Sequence, residues 1–355
     1  MSLYQAHQKK GILLNGNENP QGPSEAWRKS LFDLLSFEDL NRYPDDPSTA
    51  LIEAYAKVYG LNPKGVMAGN GSDALIQLMV TTFCRDGKPL VCLDPDFGMY
   101  HFYTAALQAK AISLSTSWAG EFDQQDFVQL AKENDAGLVL FSNPNNPTGH
   151  EVSSQDVLQM AKDLNPIVLA VDEAYMDFSN QSVLDQAQVQ PNLIVTRTLS
   201  KAWGLAGIRV GFLVANPKLV EQMEQWRIVY SISRLDQLAA LMTLQDESYN
   251  QPDSIKNTYI DLVQEESNRL EKELQRLGLQ TGPFHANFYS LTFGSSQANA
   301  YLEELFDQHG LTVRTWKDHS RIRITFGTKE QNDQVLAVIQ EAVQALKKGD
   351  IPCAK

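Results

Sequence analysis

The stretch TRTLSKAWGLAGIRVG, Thr196–Gly211, decides how this chain is read. It opens at the end of one apolar run, Leu193–Thr196, and leads into another, Val210–Val214. Thr198 and Ser200 flank Leu199, Lys201 follows at once, and Arg209 lies eight residues on. A lysine between two strands is ordinarily a solvated surface residue. This one stands among hydroxyls and glycines directly after a buried strand. There, hydroxyls, backbone N–H groups and one arginine can cradle a phosphate. An amine desolvated in such a place has a lowered pKa and suits Schiff-base chemistry with a carbonyl.

Working outward, the same rhythm continues toward the N-terminus. Short apolar runs at Pro89–Leu93, Gly137–Phe141 and Ile167–Val171 alternate with helical spacing at Asp73–Phe83, Gln125–Lys132 and Gln155–Leu164. Buried strands alternating with helices predict a largely parallel sheet covered on both faces, with ligands bound at the carboxyl ends of the strands. From Asn216 the pattern changes to long helical stretches, Pro217–Asp246 and Asp253–Leu277, with no strand between them. The remainder reads strand Asn287–Phe293, helix Gln297–His309, strands Leu311–Arg314 and Arg321–Phe326, and helix Lys329–Lys347. The expected fold is therefore α/β, a mainly parallel central sheet with helices on both faces, plus a smaller α+β domain. The expected division is a loop-rich arm over 1–35 packing with the small domain, a large domain over 36–250 and a small domain over 251–355.

Composition narrows the function classes. With 355 residues, 43% hydrophobic and 21% charged, the chain has the balance of an ordinary globular protein of about two domains. Lys and Arg number 30 against 43 Asp and Glu, a net charge of −13, and no basic run interrupts the excess. Nucleic acid and anionic membranes are thus disfavoured as partners. Cys84, Cys92 and Cys353 form no C-x-x-C pair, which argues against a disulfide framework or a metal site and for the reducing cytoplasm. The first residues lack the apolar core of a signal peptide, and no run is apolar enough to span a membrane.

Three further segments carry chemistry. FSNPNNPTG, Phe141–Gly149, ends an apolar run. Asn-Pro pairs form turns, yet a strand-end loop in a parallel sheet faces the ligand crevice, so an amide there can bind a polar ring substituent. In VDEAYMDF, Val171–Phe178, Asp172 closes a strand, where a carboxylate is either a helix cap or the partner of a protonated heterocyclic nitrogen. Tyr175 would project nearby as a phenol donor. In AGNGSDALIQL, Ala68–Leu78, Gly69 and Gly71 precede a helix whose N-terminal N–H groups can bind phosphate. Position 74, which a dinucleotide fingerprint requires to be glycine, is Ala74.

The order of these segments resembles that of the fold-type I pyridoxal-phosphate enzymes, specifically the class I/II aminotransferases, over nearly the whole chain. The resemblance implies pyridoxal 5'-phosphate as cofactor and Lys201 as its Schiff-base lysine. It implies Asp172 as partner of the pyridine nitrogen, Tyr175 and Asn146 as holders of the ring hydroxyl, and Phe97, in PDFGMY, as the stacking aromatic. Ser72, Asp73 through its backbone N–H, Thr198, Ser200 and Arg209 match the phosphate cup. Tyr43, in NRYP, matches a tyrosine reaching the cofactor phosphate of the other subunit of a homodimer. An amine and a 2-oxo acid would be the substrates, with no metal.

Within the family, LNGNENPQGPS, NRYPD, GNGSDA and RIRITFGTKEQND are most similar to the histidinol-phosphate aminotransferase subgroup. That similarity implies that Arg323 holds a substrate acid group, that Arg314 is a second arginine near a phosphorylated side chain, and that Tyr4 stands in for an absent Tyr-Pro-Gly leader. It further implies a place in histidine biosynthesis. The segment from Arg314 to Arg323 is shorter than the subgroup's, Ala74 stands where an acidic residue is frequent, and no proline precedes Tyr230. An aminotransferase for aromatic or other amino acids and a phosphothreonine decarboxylase therefore remain alternatives. A cofactor-binding regulator would need a basic DNA-binding helix, which the first 40 or so residues lack.

Overall fold

The computed structural model describes residues 11–316 and 321–348. The described chain opens with β1 (Ile12–Leu13) and helices α1 (Glu25–Leu35) and α2 (Thr49–Tyr59). Strands and helices then alternate: β2 (Val66–Asn70), α3 (Gly71–Phe83), β3 (Leu90–Asp94), α4 (Met99–Ala106), β4 (Ala111–Ser115), α5 (Gln124–Glu133), β5 (Leu138–Ser142), α6 (Ser154–Leu164), β6 (Val168–Asp172), β7 (Leu193–Thr198) and β8 (Val210–Ala215). Seven strands form one sheet in the order β2-β8-β7-β6-β5-β3-β4. From β7 to β4 the neighbours are parallel, while β8 runs antiparallel to both β7 and β2.

Alternation within each strand builds two cores. In β5, Val139 and Phe141 pack on one face while Leu138 and Leu140 pack on the other. A sheet so covered leaves only its edges and strand ends for chemistry. Helix starts follow side-chain caps: Asp123 accepts from Gln125 and Asp126 N–H at α5, and Ser153 accepts from Asp156 N–H at α6.

The helical stretch expected over Pro217–Asp246 is interrupted. It divides into α7 (Pro217–Glu224) and α8 (Arg234–Gln245), separated by a loop in which Tyr230 adopts a left-handed φ of 56°. Ser233 starts α8 afresh as its N-cap, and the loop is held from outside the helices: Arg227 donates to both oxygens of Asp46 at 2.7 Å, and Tyr230 N–H to Asp46 Oδ1 at 3.0 Å. Propensity alone does not reveal such a long-range anchor.

The C-terminal part contains α9 (Ile255–Arg276), β9 (Gln280–Thr281), β10 (Phe288–Thr292), α10 (Ser296–Gln308), β11 (Leu311–Thr312), β12 (Arg314–Trp316), β13 (Arg321–Thr325) and α11 (Lys329–Lys348). The single strand expected over Leu311–Arg314 is split. β11 pairs in parallel with β1, whereas β12 joins the four-stranded sheet β12-β13-β10-β9. Ile322 and Ile324 turn to the core shared with α9, α10 and α11, so the other face of β13 is left to confront the large sheet.

The N-terminal arm touches both halves. Its β1 pairs with β11, while α1, an exposed helix not foreseen in a loop-rich arm, lies on α8 through Trp27 Nε1–H to Thr243 Oγ1 at 3.1 Å. Among the described residues, no helix is long and apolar enough to cross a membrane. Cys84 and Cys92 are free and buried, and burial pushes both thiols up to about 12.

Candidate active site

Strand direction decides where the chemistry converges. β3, β5, β6 and β7 all end at one sheet edge, antiparallel β8 begins there, and β2 ends there opposite it, since Asn70 pairs with Val210. That edge therefore gathers Phe97 after β3, Ser142 and Asn146 after β5, Asp172 and Tyr175 after β6, Thr198, Ser200 and Lys201 after β7, Arg209 before β8, and Ser72 and Asp73 after β2. These residues, with Ala174, line one pocket. A larger cavity of about 620 Å³ lies elsewhere, between α1 and α8, and its lining includes Asp246 and Asp253 but no cationic side chain.

Asp172 is not a helix cap. Its carboxylate is buried, accepting from Thr196 Oγ1 at 2.9 Å and Tyr100 Oη at 3.2 Å. Burial pushes it up to about 6, and the two hydroxyls offset part of that rise. Lys201 Nζ donates to the Gly16 carbonyl at 3.0 Å and lies 5.5 Å from the centre of the Tyr175 ring. Tyr175 Oη accepts from Asn17 Nδ2 at 2.9 Å. Asn146 N–H donates to Ser142 Oγ at 2.9 Å, and its side-chain oxygen accepts from Arg323 Nη1. Phe97 meets Tyr100 edge-on at 5.7 Å.

At the β2–β8 corner, Arg209 donates to Ser200 Oγ at 3.2 Å and Thr198 Oγ1 to Ser200 Oγ at 3.0 Å. The corner is shaped by missing side chains. A Cβ on Gly71, whose φ is +73°, would lie 2.5 Å from Arg209 Nη2, and one on Gly211 would lie 2.4 Å from Ser72 N. A concavity of N–H groups and hydroxyls around one arginine fits a phosphate. Asp73 meets Arg209 through its carboxylate, Oδ2 to Nη2 at 2.9 Å, and so orients the guanidinium. With an amine, a buried carboxylate and a phenol beside it, the pocket fits pyridoxal phosphate.

The remaining candidates lie apart. Arg323, buried on β13, reaches the pocket through Asn146 and fixes the arm by donating to the Asn15 carbonyl at 2.6 Å. Arg314 lies opposite it on β12, with its guanidinium 5.3 Å from the Trp316 ring. Tyr43 is 80% exposed, stacked on Tyr230 at 4.6 Å, and does not line its own chain's pocket. Tyr4 falls outside the described residues.

Several contributors had no residue-level signal. Thr196 and Tyr100 hold Asp172, Asn17 and the Gly16 carbonyl come from an arm that sequence spacing cannot place, and Asp96 organises the strand ends. Half-buried Asp96 accepts from Phe97 N–H at 2.7 Å, Ser142 N–H at 3.1 Å and the Ser142 hydroxyl, and desolvation pushes it up to about 8.

Comparison with known proteins places the chain in a family. The family model for aminotransferase class I and II matches residues 9–339. A histidinol-phosphate aminotransferase of Clostridium novyi is 34% identical, the match covering 94% of this chain and 92% of that protein. One from a Thermoanaerobacter species is 31% identical, over 92% of each. The crystal structure of histidinol-phosphate aminotransferase from Sinorhizobium meliloti in complex with pyridoxal-5'-phosphate shares the fold, with a TM-score of 0.85 at 24% identity, over 96% of this chain and 92% of that one. The chain belongs to the class I and II aminotransferase family.

Proposed function

We propose that the chain transfers an amino group from histidinol phosphate to 2-oxoglutarate, giving imidazole acetol phosphate and glutamate, as a cytoplasmic step of histidine biosynthesis. The observation that carries this reading is the convergence of Lys201, Asp172, Tyr175, Asn146 and Arg209 in one pocket with Arg323 at its mouth. The names of relatives that match over most of the chain support the choice of amine.

Pyridoxal phosphate, when bound, supplies an electron sink for negative charge developing at the substrate's Cα. Lys201 Nζ would hold the cofactor's carbonyl carbon and, once displaced by the incoming amine, would be the base that takes a proton from the substrate's Cα. Asp172 keeps the proton on the pyridine nitrogen, and its buried carboxylate is well suited to a cationic partner that relieves its desolvation. Tyr175 and Asn146 hold the ring oxygen, and Phe97 covers one ring face. Ser72, Asp73, Thr198, Ser200 and Arg209 hold the phosphate. Arg323 receives a substrate acid group, and Arg314 sits near the phosphorylated end, since a dianion favours two forked cations.

The active unit in this reading is a homodimer, with a large domain over 36–250 and a small one over 251–355. Phe32, Phe37, Leu40 and Tyr43 on one segment and Trp226, Ile228 and Val229 on another are exposed apolar residues. The Tyr43–Tyr230 stack and the Glu38–Arg234 ion pair at 2.6 Å tie these segments into one surface. An apolar area of that kind marks an interface, and two-fold dimers are the commonest assembly.

Incubation with pyridoxal phosphate, histidinol phosphate and 2-oxoglutarate should yield glutamate. Carbon dioxide release from phosphothreonine, with no glutamate formed from histidinol phosphate, would refute the proposal in favour of the decarboxylase.

A further inference from the structure

The face of β13 that confronts the large sheet carries a third arginine. Arg314 pairs with Arg323 and Trp316 with Arg321, so these four side chains share one face of the β12–β13 pair. The contacts run outward from the lysine pocket in an unbroken row. Arg323 donates to Asn146, and its guanidinium lies 5.4 Å from the Trp316 ring centre. Trp316 meets Trp118 edge-on at 5.9 Å, and Arg321 lies over Trp118 at 5.6 Å. Trp118 belongs to the loop after β4, at the same carboxyl edge of the large sheet that holds the pocket.

Arg321 is incompletely satisfied where it stands. Its Nη1 is buried with no hydrogen-bond partner, and no carboxylate lies within ion-pair range of it among the described residues. Desolvation depresses its pKa. A buried N–H of a cation left without an acceptor is unfavourable, and an incoming acid group would relieve it. A cavity of about 290 Å³ on the α10 side of Arg321 is the wrong place for that acid, because the Glu303 carboxylate lines it. The side facing Trp118 and the pocket carries Arg314 and Arg323 instead.

We propose that Arg321 is a specificity-determining residue of the aminotransfer site: it holds the distal carboxylate of a dicarboxylic 2-oxo acid whose near carboxylate rests on Arg323. This deepens the transamination reading and rests on it. Residues two apart on one strand are separated by about 6.5–7 Å. The carboxyl carbons of an extended five-carbon diacid are roughly 5 Å apart by ordinary bond lengths, so two forked guanidiniums can take one end each. Trp118 and Trp316 form the apolar wall between them, excluding water that would otherwise weaken both contacts.

The test uses the holoenzyme and its Arg321→Gln and Arg321→Lys variants. The amino-loaded enzyme is reacted in single turnovers with 2-oxoglutarate, which has two carboxylates, or pyruvate, which has one. Arg321→Gln should lower the ratio of kcat/KM for 2-oxoglutarate to that for pyruvate at least about tenfold, the scale of one charge-assisted hydrogen bond, and Arg321→Lys should recover part of it. Because the readout is a ratio, a partly misfolded preparation does not imitate it. Glutarate, which cannot react, should change tryptophan emission in the wild type and require much higher concentrations in Arg321→Gln. An unchanged ratio, or an unchanged glutarate titration, overturns the assignment. Wild-type enzyme that aminates neither oxo acid while still responding to glutarate would instead mark failure of the transamination reading.

Discussion

Replacing Asp172 by asparagine should make the cofactor-free protein more stable and the enzyme nearly inactive. The folded carboxyl is pushed from 3.8 up to about 6 by burial. Between these values the native state holds a proton that the unfolded chain has released, so the unfolded state binds fewer protons and stability falls as pH rises. The shift amounts to roughly 3 kcal/mol, fully expressed above the folded value. Asparagine carries no charge to desolvate. Its oxygen can accept from Thr196, and its amide can donate to Tyr100 Oη, so the geometry of both contacts survives. Urea unfolding of the two cofactor-free proteins should therefore agree near pH 4, and Asp172→Asn should be the more stable by up to roughly 3 kcal/mol at pH 7.5. Asp96 is displaced in the same direction, partly by the Asp172 charge, so removing that charge eases Asp96 as well and acts in the same sense. Turnover should move the other way. An amide cannot stabilise the protonated pyridine nitrogen, and loss of at least ~4 kcal/mol of transition-state stabilisation raises the barrier enough to slow turnover by about three orders of magnitude. Equal stabilities across this pH range, or near-normal turnover, would refute the reasoning.

Further consequences concern the phosphate corner, the arginines and the dimer. Gly71→Ala places a Cβ 2.5 Å from Arg209 Nη2 at a φ of +73°, so cofactor affinity measured by titration should fall at least about tenfold, with pyridoxal lacking its phosphate much less affected. Arg314→Ala should depress kcat/KM for a phosphorylated amine far more than for a plain amine; equal losses would remove Arg314 from the phosphate end. Arg323→Ala should damage the half-reaction with 2-oxoglutarate, and it also unpins Asn146 and the Asn15 carbonyl. Mixing Tyr43→Phe with Lys201→Ala subunits, each first shown to be inactive, should restore activity toward one working site per heterodimer. Heterodimers that form without any return of activity would deny that Tyr43 serves its partner.

What the sequence made legible follows the reach of its signals. Apolar runs such as Leu138–Ser142 and Val168–Asp172 are buried on both faces, so they stand out whatever their partners are. Because parallel strands align their ends, the residues just after them could be placed in one crevice before any contact was known. Signals failed where a distant group decides the local structure. Asp46 interrupts the helical stretch at 225–233, pairing with β1 draws Leu311 and Thr312 away from β12, and the arm delivers Asn17 to Tyr175 across 158 positions of sequence. Arg321 carries no signal of its own in the sequence, and only the strand register and the ring contact set it beside two tryptophans. The close approach of Gly211 to Ser72 emerges only from the sheet pairing.

The claim on which the rest depends is that Lys201 is the amine that carries the cofactor in this pocket. Protein loaded with pyridoxal phosphate, reduced with borohydride and digested should yield one labelled peptide, containing Lys201 and the sequence TLSKAWGLAGIR. Lys201→Ala, treated identically, should yield none. A label on any other lysine, or an undiminished label in Lys201→Ala, would contradict the account.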